Sequence, residues 1–405
     1  MKRWLALLVV LVLALAAGLG GRYQGLQLRQ PWDQQVYLWQ RVWTPEHAVA
    51  LANSHDLFSA LRILGLQAHA HEGLRSVAVD TTLLRQDGRP VWLVARLDGQ
   101  LPSLDESSLR QRLLLQLQRW QMAGLNVIGI EIDHDAATAR LPQYRDFLQH
   151  LRAQLPATVQ LSITALPAWL ISPILPEVLQ QVDSSVLQVH AVLSPQQGLF
   201  NNALALRWIQ HYARITPKPF RVALPAYGMG LVGFDEQGAQ VESETALRVA
   251  GTTRELTVAP QQIADFLHQL AARPVAYLRG IIWFRLPLPN DRRAWSLATL
   301  RAVIEQQPLT SDWQLNIQPH AQHKTLYDLS VHNNGPVDAP LPATIVIDAS
   351  GCLAADAVGD YRLESTPSQQ RFIRTDNDLV RAGQSRPLGW LRCQHLMPGG
   401  TLVTP

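Results

Sequence analysis

The chain has 405 residues, 47% hydrophobic and 17% charged, with a formal net charge of +3 at pH 7. A chain this apolar and weakly charged buries enough surface to offset its ordering entropy, which excludes disorder. The basic surplus is small and its Lys and Arg are scattered, so no nucleic-acid-binding stripe is present, and only the N-terminus carries a long apolar run, which excludes a polytopic membrane protein.

Residues 1–21 read as an export signal. Lys2 and Arg3 precede an apolar stretch from Trp4 to Ala17, and small residues follow at Gly18, Gly20 and Gly21. Ala14-Leu15-Ala16 is an acceptable cleavage site, and retention as a single membrane anchor is the alternative. Either way the body is expected outside the cytoplasm, in the periplasm or tethered to face it.

From Val36 onward, short β-rich runs alternate with amphipathic helical runs. Strands are expected at 36–43, 61–69, 91–98, 127–133, 159–166, 186–192, 220–227 and 280–286, and helices at 107–122, 142–155, 172–182, 202–213, 260–272 and 293–306. Eight βα units in this length predict an α/β fold of the (β/α)8 TIM-barrel type over residues 31–308. The run at 76–84 is a possible ninth strand. The connection 228–259 is too long for a plain loop and reads as a small β-rich insertion over the barrel mouth. After residue 310 helical periodicity vanishes, and alternating runs such as 326–333 and 343–349 predict a β-sandwich over 310–405. Cys352 and Cys393 lie in that tail, and in an oxidising compartment they are expected to form a disulfide, with two buried free thiols as the competing reading.

Active sites of such barrels lie at the C-terminal ends of the strands. The fourth strand is richest there, with Glu131, Asp133 and Asp135 two residues apart. That period puts all three on one face, about 6.6 Å between successive positions. Three stacked carboxylates do not all ionise cheaply, so at least one proton affinity should rise, as a general acid requires. A structural network with Arg96 or Arg285 is the competing account. Arg96 and Asp98 on strand three, Gln188 and His190 on strand six and Arg285 on strand eight are the candidate polar substrate contacts, with Asp80 a weaker candidate. Trp39, Trp43, Trp169, Tyr227 and Trp283 fall near strand ends, where aromatic faces could stack on sugar CH surfaces.

The run Ile128–Asp135, IGIEIDHD, resembles the fourth-strand signature of family-18 glycoside hydrolases, the chitinase-like barrels, whose pattern is Asp-Gly-x-Asp-x-Asp-x-Glu. Gly129 and Asp133 match it, Glu131 stands in for an Asp, Ile128 replaces the leading Asp, and Asp135 falls where that family has its catalytic Glu. The run 224–230, LPAYGMG, resembles their seventh-strand segment, and Trp283 resembles the Trp that floors their sugar site. The resemblance implies a glycan substrate or ligand, Asp135 as general acid, Asp133 as its orienting neighbour, Tyr227 assisting at the reaction centre, Trp283 as floor and no cofactor. Two departures stand out. Asp135 is one methylene shorter than Glu, and Gln188 and His190 replace a Met-x-Tyr run on strand six. Across barrel and tail together, the chain is most similar to the bacterial family called domain of unknown function 3142.

Two other readings remain open. His69 and His71 form a His-x-His pair at a strand end, as some metal-dependent hydrolases on this fold have, with only His190 and Asp133 able to join them. A non-catalytic glycan-binding barrel is the third reading. Neither a Gly-x-Ser-x-Gly elbow nor a glycine-rich phosphate loop occurs.

Overall fold

The computed structural model describes residues 32–69, 73–97, 105–190, 198–235, 238–242, 254–376, 378–394 and 401–404. The N-terminal segment expected to direct export, Asp98 and His71 lie outside the described residues. Among those described, no helix is long and apolar enough to cross a membrane.

Eight parallel strands close into a barrel: β1 (Asp33–Leu38), β2 (Ala60–His69), β3 (Val91–Leu97), β4 (Val127–His134), β5 (Gln160–Ala165), β6 (Ser184–Gln188), β7 (Phe220–Pro225) and β8 (Leu278–Phe284). Closure comes from β1, which pairs with β2 on one side and β8 on the other. A helix follows each strand: α1 (Pro45–Asn53), α2 (Thr81–Asp87), α3 (Glu106–Met122), α4 (Leu141–Gln154), α5 (Leu175–Gln180), α6 (Asn202–Ile215), α7 (Pro260–Ala271) and α8 (Leu297–Ile304). The expected (β/α)8 architecture is therefore present.

Period-two alternation sorts each strand into two faces. Val36, Leu38, Ile63, Leu93, Ile132, Ile163, Val222 and Trp283 pack outward against the helices. Tyr37, Trp39, Leu64, Val94, Val186, Ala223 and Ile282 form a second cluster inside the barrel, with Phe284 against it.

The run 76–84 is not a ninth barrel strand. Gly73–Ser76 folds back antiparallel on the end of β2, and the chain then enters α2. Asp80 accepts a hydrogen bond from the Leu83 backbone N–H at 2.9 Å, so this carboxylate caps a helix and is not a site residue. The insertion after β7 contains a three-stranded antiparallel sheet of Met229–Asp235, Gly238–Glu242 and Arg254–Leu256, as its texture suggested.

The C-terminal unit holds two four-stranded sheets. Leu329, Val331 and Leu391 of one meet Ile345, Ile347 and Phe372 of the other in a core separate from the barrel's. Cys352 and Cys393 are disulfide-bonded across neighbouring strands. The unit is fastened to the barrel through Asp338, whose carboxylate accepts from the Ser296 N–H at the start of α8 at 2.7 Å, and whose own N–H donates to Thr299 Oγ1 at 2.8 Å.

Candidate active site

The lumen is built in layers from the floor upward. At the floor Asp33 accepts from Arg221 at 2.7 Å. Above it, Gly129 of β4 leaves space for the indole of Trp92: a Cβ there would lie 2.4 Å from the ring. The guanidinium of Arg62 rests over that ring, 4.4 Å from its centroid. Arg62 Nε donates to Gln35 Oε1 at 2.9 Å, and its NH1 forms a buried ion pair with Glu131 Oε2. Tyr37 donates to the other Glu131 oxygen at 2.6 Å. Glu131 is thus held on both oxygens.

The next layer is Asp133, buried beneath the rim. Arg96 NH1 donates to its Oδ2 at 3.0 Å, and a second Arg96 nitrogen ion-pairs with Asp135. Asp133 Oδ1 is buried without a hydrogen-bond partner, as is Thr164 Oγ1 on the neighbouring strand. Removal from water pushes the Asp133 carboxyl up from its ordinary 3.8 to about 6; Arg96 opposes this, while Asp135 and Glu131 add to it. The rise anticipated for one of the three carboxylates falls on Asp133. Among the described residues of this lumen, three arginines meet four carboxylates. Asp33 and Glu131 each have one guanidinium, and Asp133 must share Arg96 with Asp135. The surplus negative charge therefore belongs to the upper pair. Asp135 is its more exposed member, and Asp133 the less.

The rim wall opposite is aromatic. Phe284 lies 5.1 Å from Trp39 and 5.1 Å from Tyr227, with ring centroids as reference, and His190 packs against both Tyr227 and Phe284. His190 Nδ1 lies 3.2 Å from the Ala223 carbonyl, so that nitrogen carries the proton. Burial lowers the imidazole from 6.5 to about 4, leaving a neutral ring. Gln188 donates to the His190 carbonyl at 3.1 Å and holds the turn beyond β6.

Several expected site residues lie elsewhere. Trp283 is not the floor. It points into the helix layer, donates to Gln34 Oε1 at 2.8 Å and packs near Trp295, while the adjacent Phe284 takes the lumen side. Trp169 is wholly buried outside the lumen, where its indole donates to the Ala136 carbonyl at 2.8 Å and so braces the turn after Asp135. Trp43 stacks on His47 at 4.7 Å and packs on the outer core. Arg285 ion-pairs with Asp291 at 2.6 Å instead of with the strand-four carboxylates, and Asp291 in turn offers its carbonyl to Arg381 of the C-terminal unit. His69 ends β2. Among the described residues, no three His, Cys, Asp or Glu gather as a metal site.

Gln35, Tyr37, Arg62, Thr164 and Phe284 were not singled out from the sequence. Arg62 alone carried a signal, as an isolated charge inside the apolar run LRILGL.

The profile of the family called domain of unknown function DUF3142 matches residues 87–289, just over half of the chain. The chain belongs to the DUF3142 family. A second profile, domain of unknown function DUF8456, matches residues 316–394 in the C-terminal unit of this DUF3142 protein. No curated protein matches it in sequence. Similar solved structures include the spore cortex-lytic enzyme SleL of Bacillus cereus, 15% identical, covering 70% of this chain and 76% of that one with a TM-score of 0.49. A chitinase of Chromobacterium violaceum is 12% identical, covering 68% and 98% with a TM-score of 0.46. Chitinase ChiA74 of Bacillus thuringiensis is 10% identical, covering 93% and 100% with a TM-score of 0.46.

Proposed function

We propose that the barrel mouth binds a glycan and cleaves its glycosidic bond, with Asp133 and Asp135 carrying one exchangeable proton between them. The observation that carries this reading is the charge surplus of the upper pair: two carboxylates share one guanidinium, and Asp133 has an unpartnered oxygen inside the lumen. Asp135 is the member exposed enough to reach a glycosidic oxygen. It donates the proton to the glycosidic oxygen as that C–O bond breaks, water adds to the anomeric carbon, and the proton that this water releases returns to the pair, with Asp133 orienting Asp135. Trp39, Phe284 and Tyr227 offer apolar faces for a sugar ring, and His190 an unprotonated Nε2 that accepts from a sugar hydroxyl or amide. The motif around Gly129 and Asp133 favours an amino sugar of the cell envelope. The N-terminal segment fits export to the periplasm, with or without a membrane tether.

One observation favours a binder without turnover: the Arg96 ion pair occupies Asp135, and substrate must displace it before the carboxyl can act. Both readings are tested with GlcNAc oligosaccharides and neutral glucans, scoring released ends by mass spectrometry and binding by calorimetry. Asp135→Asn is expected to lower turnover by about 10²-fold or more while binding persists. Turnover unchanged in both Asp135→Asn and Asp133→Asn would refute the catalytic pair, and wild-type binding without turnover would establish the binder.

A further inference from the structure

We propose that the C-terminal unit sets the aromatic wall of the barrel mouth, with Arg381 as the positioning residue: it holds the loop 285–296, which begins at Phe284 and ends beside Tyr227. The first limb of this loop continues the barrel ladder. The Leu286 N–H donates to the Tyr37 carbonyl at 2.8 Å, and Gln40 donates to the Leu286 carbonyl at 3.1 Å. The ladder between β7 and β8 runs on to Ala226, whose N–H donates to the Phe284 carbonyl at 2.9 Å. Beyond it the last limb of the loop pairs antiparallel with the chain after β7: Tyr227 bridges to Ala294, and the Trp295 N–H donates to the Ala226 carbonyl at 3.0 Å. The rings of Phe284 and Tyr227, 5.1 Å apart, thus stand at the two ends of one loop.

Asp291 joins the limbs. Its Oδ1 accepts from the Arg293 and Ala294 N–H groups at 3.1 and 3.3 Å, and its Oδ2 ion-pairs with Arg285 at 2.6 Å. Both partners of that pair are buried, and such a pair stabilises only while its geometry is kept. The C-terminal unit grips the loop at this joint. Arg381 donates to the Asp291 carbonyl and reaches the Leu288 carbonyl at 3.5 Å. A guanidinium on a carbonyl makes a charge-assisted bond, roughly twice as strong as a neutral one. Val380, buried in the core of the C-terminal unit, pairs with Ala339, which sets Arg381 and Asp338 side by side at one end of a short ladder. Asp338 accepts from the Ala382 N–H at 3.0 Å and from the Ser296 N–H at 2.7 Å, so the same feature holds the far end of the loop.

The functional meaning of this strut rests on the glycan-site reading, whereas its test reads ring positions, so the two can fail separately. The full-length protein, labelled with 4-fluorophenylalanine or 3-fluorotyrosine, is followed by fluorine NMR, with Phe284→Leu and Tyr227→Phe assigning the two rim signals. Arg381→Met keeps the apolar stem and removes the donors, whereas Arg381→Lys keeps a charged donor. In Arg381→Met both rim signals should shift while the other Phe and Tyr signals stay in place, and in Arg381→Lys both should return toward the wild type. Arg381→Gln, which keeps an amide donor, should fall between them, and it decides together with Arg381→Lys if Arg381→Met does not fold. Either rim signal unmoved in the folded donor-deficient variant, shifts spread over all Phe and Tyr signals, or a displacement in Arg381→Lys as large as in Arg381→Met would overturn the proposal. Calorimetry with a GlcNAc oligosaccharide should show affinity about tenfold or more weaker in Arg381→Met and recovered in Arg381→Lys. A wild type that binds no glycan would refute the glycan reading, and the fluorine signals would still decide the role of Arg381.

Discussion

Burial raises the Asp133 carboxyl from 3.8 to about 6 and lowers the His190 imidazole from 6.5 to about 4. The two shifts act on stability with opposite signs in one pH window. Between about pH 4 and 6 the folded state holds more protons at Asp133 than the unfolded state, so its contribution is lost as pH rises. Between about pH 4 and 6.5 the unfolded state holds more protons at His190, so its contribution is lost as pH falls. In the wild type the two oppose each other. Removing either exposes the other. Urea unfolding of Asp133→Asn should give stability that climbs from pH 4 to 6.5, and of His190→Gln stability that declines over the same range. Slopes in both variants that parallel the wild type would contradict these assignments.

The carboxylate stack was legible in the sequence because a period of two is enough to align Glu131, Asp133 and Asp135. What each one touches was not. Arg96 as partner was one of two named options, and Arg62 and Tyr37 come from strands some 70 and 90 residues away, beyond the reach of any local pattern. The aromatic positions failed for a related reason: Trp283 drew attention by residue type, whereas alternation along β8 assigns the lumen to its neighbour Phe284.

At the level of elements, all eight barrel strands were legible, because parallel strands buried on both faces read as short apolar runs between helical patterns. The region after β2 was not. Its run SVAVD looks like a strand by composition, but Asp80 caps a helix start and directs Thr81 onward into α2. Strands β3 and β4 are also matched in shape. Trp92 pairs in register with Gly129, and a methyl group at 129 would meet Trp92 Cζ3 at 2.4 Å and the Gln160 carbonyl at 2.8 Å. Since that carbonyl is backbone, the site has little room to yield. Gly129→Ala should therefore cost about 1–3 kcal/mol by overpacking, seen as a lower midpoint in denaturant. An unchanged midpoint would mean that the indole can move aside, and with it the platform under Arg62.

Across the whole molecule, the C-terminal unit is joined to the segment after β8 and the start of α8 by polar contacts. Arg381 donates to the Asp291 carbonyl, Asp291 ion-pairs with Arg285, and Arg285 follows Phe284 in the chain. Asp338 meanwhile fastens the start of α8. Two β-rich sheets and their disulfide were foreseeable from texture and cysteine count, but this linkage was not, since it depends on side chains from separate cores. The mouth itself combines two carboxylates that share one arginine with an aromatic wall. The location of a bound oligosaccharide in a crystal of the full-length protein tests that combination most directly. The expected result is a sugar ring against Phe284 and Trp39 with its glycosidic oxygen within hydrogen-bond reach of Asp135. A glycan found only on the C-terminal unit or the outer helices, with the barrel mouth untouched at saturating ligand, would contradict it.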